Sequence, residues 1–140
     1  MKDRIVICDI DGTIAIHDGD RGHFEWALVT NDKYNKPICS LVDMIMFSGT
    51  LVLFVSGRNE AARESTLDWL RELWPGVEHE HLLMRADKDF RADTIVKREI
   101  YEREIEPNFE VICVIDDRDS VVAMWREIGL TCLQVALGDF

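Results

Sequence analysis

The segment RIVICDIDGT (residues 4–13) decides the fold. Its first five residues are almost all apolar and mostly β-branched, which is typical of a strand covered on both faces. Asp9 and Asp11 follow at once, and side chains two apart in an extended chain point the same way. Gly12 permits an abrupt turn, and the hydroxyl of Thr13 can bond a loop or the first acid. Ligands of open parallel sheets bind beyond the carboxyl ends of the strands, so these acids lie where a site is expected.

Two later apolar runs also end in polar residues. LVLFV (residues 51–55) leads into SGR, and VICVI (residues 111–115) leads into DDR. A lone DxDG could simply end a strand by capping backbone groups, but a second acidic strand end favours a functional site. Four converging carboxylates would repel one another unless some were protonated or a divalent cation were bound. Oxygen-only ligands suit Mg²⁺.

Composition narrows the class of protein. The chain has 140 residues, 47% of them hydrophobic, which predicts one domain over residues 1–140. A net charge of −11 argues against a general nucleic-acid coat or a membrane-surface protein, but not against a protein that grips one nucleic-acid end. Four cysteines without a CxxC indicate a reducing compartment. No apolar run has the length of a membrane span, and Asp9 interrupts any signal-peptide core, so a cytoplasmic location is expected.

Strand and helix patterns alternate along the chain and predict an α/β fold with a doubly wound parallel sheet of five strands. The expected strand order, 3-2-1-4-5, places Asp9 next to Asp117. An irregular flap is expected over residues 14–37, with Phe24, Trp26 and Tyr34 available to stack on a base or to pack the flap onto the domain. Neither the flap nor residues 58–93 are long enough for a large cap domain.

DIDGT, SGR and IDDR, in this order on successive strands, resemble the haloacid dehalogenase (HAD) superfamily of aspartate-nucleophile phosphotransferases, with its Rossmann-like fold. Residues 114–140, VIDDRDSVVAMWREIGLTCLQVALGDF, are similar to the end of the 3′-phosphatase domain of T-even phage polynucleotide kinase, and the similarity extends over the chain. The resemblance implies a Mg²⁺-dependent phosphatase that removes 3′-phosphates from DNA or RNA ends. It also implies assembly with a kinase or ligase in a repair system. The sequence contains no GxxxxGK[ST], so no kinase activity is expected.

The resemblance assigns chemistry to individual residues. Asp9 would be the nucleophile that forms an aspartyl-phosphate, and Asp11 the general acid and base. The Mg²⁺ ligands would be Asp9, the backbone carbonyl of Asp11, and Asp117. Adjacent strand residues point to opposite sides, so Asp116 is expected to position Arg58 or a metal-bound water.

Further residues are expected around the phosphate and the nucleic acid. The remaining catalytic candidates are Arg21, Arg58, Asp93 and Lys97. The substrate-binding candidates are Thr13, Ser56, Gly57, Arg85 and Arg91. By spacing alone, Asp93 and Lys97 lie on one helix face and could instead form a surface ion pair.

Two other functions compete with this interpretation. A HAD nucleotidase acting on free mononucleotides would share IDDR. A module that only binds nucleic-acid ends is disfavoured, because it would gain nothing from a nucleophile and a proton donor.

Overall fold

The protein is built on one sheet of five parallel strands, seen in a computed structural model that describes residues 1–16 and 32–140. The elements are, in chain order, β1 (Asp3–Cys8), β2 (Ala15–Ile16), β3 (Lys33–Tyr34), α1 (Lys36–Phe47), β4 (Leu51–Asn59), α2 (Arg63–Leu73), β5 (Leu82–Arg85), α3 (Asp93–Ile100), β6 (Phe109–Asp116), α4 (Asp119–Glu127) and β7 (Cys132–Gln134). The strand order β5-β4-β1-β6-β7 confirms the predicted 3-2-1-4-5.

Helices cover both faces of the sheet, because β1 buries side chains on both sides. Val6 and Cys8 belong to the core under α1 and α2. Ile5 and Ile7 belong to the core under α3 and α4, which also contains Trp125. Alternating side chains of one strand thus contribute to two cores, which explains why its sequence is continuously apolar.

The strand order reverses direction at β1. The chain passes from β1 outward to β4 and β5, and then returns to place β6 on the other side of β1. Such a switch point opens a crevice at the carboxyl ends of the two central strands. The DIDGT turn and the acid pair of β6 meet at this crevice.

The flap begins and ends in a two-stranded antiparallel sheet formed by β2 and β3. Residues 17–31 fall outside the described part of the chain, and the predictions for Arg21, Phe24 and Trp26 lie there. Tyr34 stacks on Trp69 with ring centroids 4.4 Å apart, so it packs the flap base onto α2. Within the described ranges, no large cap domain covers the crevice, and no helix is long and apolar enough to cross a bilayer.

Candidate active site

The carboxylate of Asp9 lies at the bottom of the crevice, directly after β1. Its Oδ1 accepts a hydrogen bond from Lys97 Nζ at 2.7 Å, and its Oδ2 accepts one from Thr13 Oγ1 at 2.9 Å, as predicted for Thr13. Burial raises the pKa of the Asp9 carboxyl well above its ordinary value, although Lys97 works in the opposite direction. Donors therefore orient both oxygens, and the ionised form depends on nearby cations.

A buried ammonium group joins the acids of β1 and β6. Lys97 is 3% exposed, and its Nζ also donates to Asp116 Oδ2 at 3.0 Å. Trp125 Nε1 donates to the same Asp116 oxygen at 3.2 Å. Burial alone would lower the pKa of Lys97, but Asp116 and Asp9 raise it overall, so the ammonium keeps its charge. The alternative of a surface ion pair with Asp93 is wrong, because Lys97 points into the crevice.

Asp117 faces the DIDGT turn. Its Oδ1 lies 3.4 Å from Thr13 Oγ1, and its side chain packs against Gly12 so closely that a Cβ there would collide with Oδ2. Gly12 also has a φ of +80°, so both the backbone and the space at this turn require glycine. Burial raises the pKa of Asp117, even though a hydrogen bond with Asp9 acts in the opposite direction.

Three carboxylates converge on one point and fit a divalent cation. Asp9, Asp116 and Asp117 each offer an oxygen within 4.8 Å of the other two, and all three residues are buried. Burial raises the pKa of Asp9 and Asp117, and repulsion from the Asp116 carboxylate raises both further. A hard cation with oxygen ligands would remove this repulsion. Asp116 has less freedom to bind such a cation, because its Oδ1 already accepts from Asp117 N at 2.8 Å.

The second acid of the motif, Asp11, lies at the rim, and its side chain is 34% exposed. Arg58 Nη2 donates to Asp11 Oδ1 at 2.7 Å, and Arg58 Nε donates to Oδ2 at 2.9 Å. This bidentate pair fixes the plane of the carboxylate. The guanidinium, only 1% exposed, also donates to Asp32 Oδ2 at 2.9 Å and to Thr66 Oγ1 at 3.1 Å.

The sequence suggested that SGR follows the strand, but the structure has SGR inside β4. Ser56 Oγ accepts from Arg58 N at 3.0 Å, which shapes the chain at this point. Gly57 is approached closely by a protein carboxylate, since a Cβ at Gly57 would lie 2.6 Å from Asp93 Oδ1. The carbonyl of Gly57 accepts from Arg85 Nε at 2.8 Å. Phosphate contacts of Ser56 and Gly57 stay predictions.

Asp93 bridges two arginines beside this segment. Its Oδ1 accepts from Arg85 Nη2, and its Oδ2 accepts from Arg118 Nη1 at 2.9 Å. Arg91 lies on the surface and donates to Glu99 at 2.6 and 2.7 Å. Both predicted nucleic-acid contacts, Arg85 and Arg91, therefore already bind acceptors of the protein, and their contact with substrate stays a prediction.

Sequence reasoning missed the residues that hold the site from behind, namely Asp32, Thr66 and Trp125. An acid before a two-residue strand and a tryptophan in an amphipathic helix carry no local signal of such contacts. The suggestion that Asp116 positions Arg58 is wrong, because Asp116 contacts Lys97 and Trp125 instead.

This fold, with two acids after the central strand and a lysine between the acidic strand ends, defines a HAD phosphatase. Within that class, the chain belongs to the family of polynucleotide kinase PNKP phosphatase domains, whose sequence profile matches residues 3–140. This family consists of phosphatase domains, so the chain is a phosphoesterase.

Individual relatives agree with this placement. A protein of Autographa californica nuclear polyhedrosis virus, named as a bifunctional polynucleotide kinase/RNA ligase, is 28% identical over 129 residues, which are 91% of this chain and 18% of the viral protein. A chain in the structure of the Pnkp1/Rnl/Hen1 RNA repair complex is 37% identical with a TM-score of 0.91, covering 99% of this chain and 44% of that one. The chain thus spans less than half the length of these relatives.

A more distant structure shares the fold alone. The class C acid phosphatase from Bacillus anthracis, solved with tungstate bound, is 14% identical with a TM-score of 0.61. The alignment covers 86% of this chain and 54% of the acid phosphatase.

Proposed function

We propose that the chain is a Mg²⁺-dependent polynucleotide 3′-phosphatase, which removes the terminal phosphate from DNA or RNA ends by way of an aspartyl-phosphate. The observation that carries this proposal is that the two acids of one turn have different environments. Asp9 is buried and bound to Lys97, whereas Asp11 lies at the rim, clamped by Arg58.

Asp9 is the nucleophile. One of its carboxylate oxygens forms a bond to phosphorus while the bond from phosphorus to the 3′ oxygen breaks. Lys97 and Thr13 hold the two oxygens at 2.7 and 2.9 Å, so the attacking group needs little reorientation. The ammonium of Lys97 also offsets charge that builds up on the phosphoryl group.

Asp11 handles the proton. It donates a proton to the departing 3′ oxygen, and then accepts one from the water that hydrolyses the aspartyl-phosphate. Its position at the rim lets it reach the leaving group while Asp9 faces the phosphorus from below.

The acid cluster supplies a site for the metal, and HAD phosphatases generally use a divalent metal. The proposed ligands are Asp9, the backbone carbonyl of Asp11, and Asp117, with Asp116 occupied by Lys97 and Trp125. When bound, Mg²⁺ offsets the negative charge of nucleophile and phosphate and keeps them in line.

The other predicted site residues have supporting roles. Arg21 is proposed to reach the phosphate from the flap. Arg58 is proposed to lie near the phosphate, and its two hydrogen bonds to the Asp11 carboxylate also hold that acid in place. Asp93 keeps the Gly57 segment in place through its bridge to Arg85 and Arg118.

A polymer end suits the site better than a small metabolite. The described part of the chain carries no large cap over the crevice, so a long substrate can extend outward. The similar chain of known structure belongs to a complex described as an RNA repair complex with Rnl and Hen1. Assembly of this domain with a kinase or ligase in nucleic-acid end repair is therefore part of the proposal.

The test is metal-dependent phosphate release from three substrates: an oligonucleotide with a 3′-phosphate, its twin with a 5′-phosphate, and a 3′-mononucleotide. We expect release from both 3′ substrates, fastest from the oligonucleotide and lost with chelator. Release from the mononucleotide alone would favour the nucleotidase instead, and no release from any substrate by folded protein would refute the proposal.

A pair of variants checks the nucleophile. Asp9→Asn should lower turnover by about four orders of magnitude or more, the scale seen when a catalytic nucleophile is removed. Asp3→Asn is the matched control, because Asp3 is exposed at the opposite end of β1. Normal turnover by Asp9→Asn would refute the assignment.

A further inference from the structure

A buried arginine is shared between two carboxylates from different parts of the chain. Arg58 of β4 binds Asp11 through Nε and Nη2, and Nη2 also donates to Asp32 Oδ2 at 2.9 Å. Asp32 lies in the flap, directly before β3. The exposed fractions differ sharply, with 34% for the Asp11 side chain, 2% for that of Asp32 and 1% for that of Arg58. Asp11 can therefore meet a substrate, whereas Asp32 meets the guanidinium from behind.

Because the guanidinium is rigid, the contact between Asp32 and Arg58 affects the orientation of Asp11. The group is planar, and its donors form a rigid fork. Asp32 accepts at 2.9 Å from Nη2, the donor it shares with Asp11, and Thr66 accepts at 3.1 Å from Nη1 on the far side of the fork. These two contacts set the plane of the fork, and the bidentate pair then sets the plane of the Asp11 carboxylate.

Asp32 is itself held in place. Its backbone carbonyl accepts from Trp69 Nε1 at 2.9 Å, and Trp69 is fully buried in α2. Tyr34 stacks on Trp69, and its hydroxyl lies 2.9 Å from the Trp69 carbonyl oxygen. The β3 end of the flap is thus anchored at two points, with the Asp32 side chain between α2 and the active site.

We propose that Asp32 is a positioning residue: by fixing the guanidinium of Arg58, it holds Asp11 in the orientation that delivers a proton to the leaving oxygen. The proposal rests on the proposed function, because it needs Asp11 as the general acid. It makes the β3 end of the flap part of the proton-transfer apparatus rather than only a support for the fold.

A sulfur leaving group separates this role from a merely structural one. The substrates are two oligonucleotides, one with a 3′-O-phosphate and one with a 3′-S-phosphorothiolate. Cleavage breaks the P–O bond in the first and the P–S bond in the second. An alkyl thiol has a pKa of about 8.5, so the departing thiolate needs no proton, whereas an alkoxide does. The ratio kcat/KM reports steps up to the departure of the leaving group, which is the step in question.

The variants are Asp32→Ala, Asp32→Asn and, as the full-scale reference, Asp11→Asn. Asp11→Asn should lower kcat/KM on the oxygen substrate by about 10²–10⁴-fold and spare most activity on the sulfur substrate. Asp32→Ala should lower it by about 10–100-fold on oxygen, the usual effect of losing an outer-shell partner, with far less effect on sulfur. Asp32→Asn keeps the volume and one acceptor oxygen, so it should fold and fall between Asp32→Ala and the unchanged protein.

A control variant changes an aspartate carboxylate that has a hydrogen-bond partner outside the active site. Asp43 Oδ1 accepts from Trp74 Nε1 at 3.1 Å, away from the crevice, and Asp43→Asn should leave both rates unchanged. Equal losses on the two substrates, or no loss in Asp32→Asn and Asp32→Ala, would overturn the role of Asp32. Failure of the unchanged protein to release the 3′-O-phosphate would instead refute the proposed function.

Discussion

Replacing Lys97 by methionine removes a buried cation from between two buried acids. The Nζ atom lies 2.7 Å from Asp9 Oδ1 and 3.0 Å from Asp116 Oδ2, and none of the three residues is more than 5% exposed. Methionine fills similar space but leaves the acids without their countercharge. Removing one partner of a buried ion pair costs about 3–5 kcal/mol. This is a large part of the roughly 5–15 kcal/mol that stabilises a typical domain.

The next residue of the same helix gives the control. Arg98 Nε donates to Glu102 Oε1 at 2.9 Å, but this pair lies on the surface with the Arg98 side chain 48% exposed. Arg98→Met should therefore change the free energy of unfolding by less than about 1 kcal/mol. The two variants each delete one positive charge from α3, so they differ in the burial of the pair rather than in net charge.

The assay is equilibrium unfolding in urea with chelator present, at pH 8 and at pH 5. Burial raises the pKa of Asp9 in the folded protein, and loss of Lys97 raises it further. The folded variant then binds a proton that the unfolded chain has released, so its stability increases as the pH falls from 8 toward the ordinary aspartate value of about 3.9. The cost of Lys97→Met should accordingly shrink at pH 5. A cost below 1 kcal/mol at pH 8, or one that grows on acidification, would refute the reasoning.

Two other perturbations follow from close packing and burial. Gly57→Ala places a methyl group within 2.6 Å of Asp93 Oδ1 and should lower the free energy of unfolding in urea by about 1–3 kcal/mol. In the control Gly76→Ala, the new methyl group meets no atom within 4 Å, so this free energy should not change. Equal losses in the two variants would contradict the packing argument. Burial raises the pKa of the Cys39 and Cys132 thiols to about 11. These thiols should resist alkylation at pH 8 until urea unfolds the protein. The free energy of unfolding should also fall between pH 9 and 11, because the unfolded chain releases these thiol protons at a lower pH than the folded protein does. Rapid alkylation of the folded protein would contradict the burial argument.

The sequence was informative where chemistry follows a strand directly. Apolar runs that end in DIDGT and IDDR predicted the two central strands, their pairing in the sheet and the convergence of Asp9 with Asp117. This was possible because strand periodicity is a local signal and only a few sheet topologies fit the order of the elements. The lysine on α3 was identified by resemblance, since by spacing alone it could equally have paired with Asp93.

Contacts made from behind the site could not be predicted in this way. Asp32 reaches Arg58, and Trp125 reaches Asp116, across elements whose relative rotation depends on the packing of both cores. The contacts of Arg85 could not be predicted either. From the sequence, a charged side chain at the end of a strand cannot be told from a surface group, and acceptors such as the Gly57 carbonyl are seen only in the structure.

The central position of β1 has a consequence for how the protein is made. Ile5 pairs with Leu51 on one side and with Val111 on the other, so the strand that emerges first needs neighbours that are synthesised much later. Until then a fully apolar strand has two unsatisfied edges, which are templates for pairing with other chains. Pairings between residues so distant in the chain also slow folding. We therefore expect a slow, aggregation-exposed folding phase in which the proposed nucleophile, Asp9, is present but its site is incomplete until β6 docks.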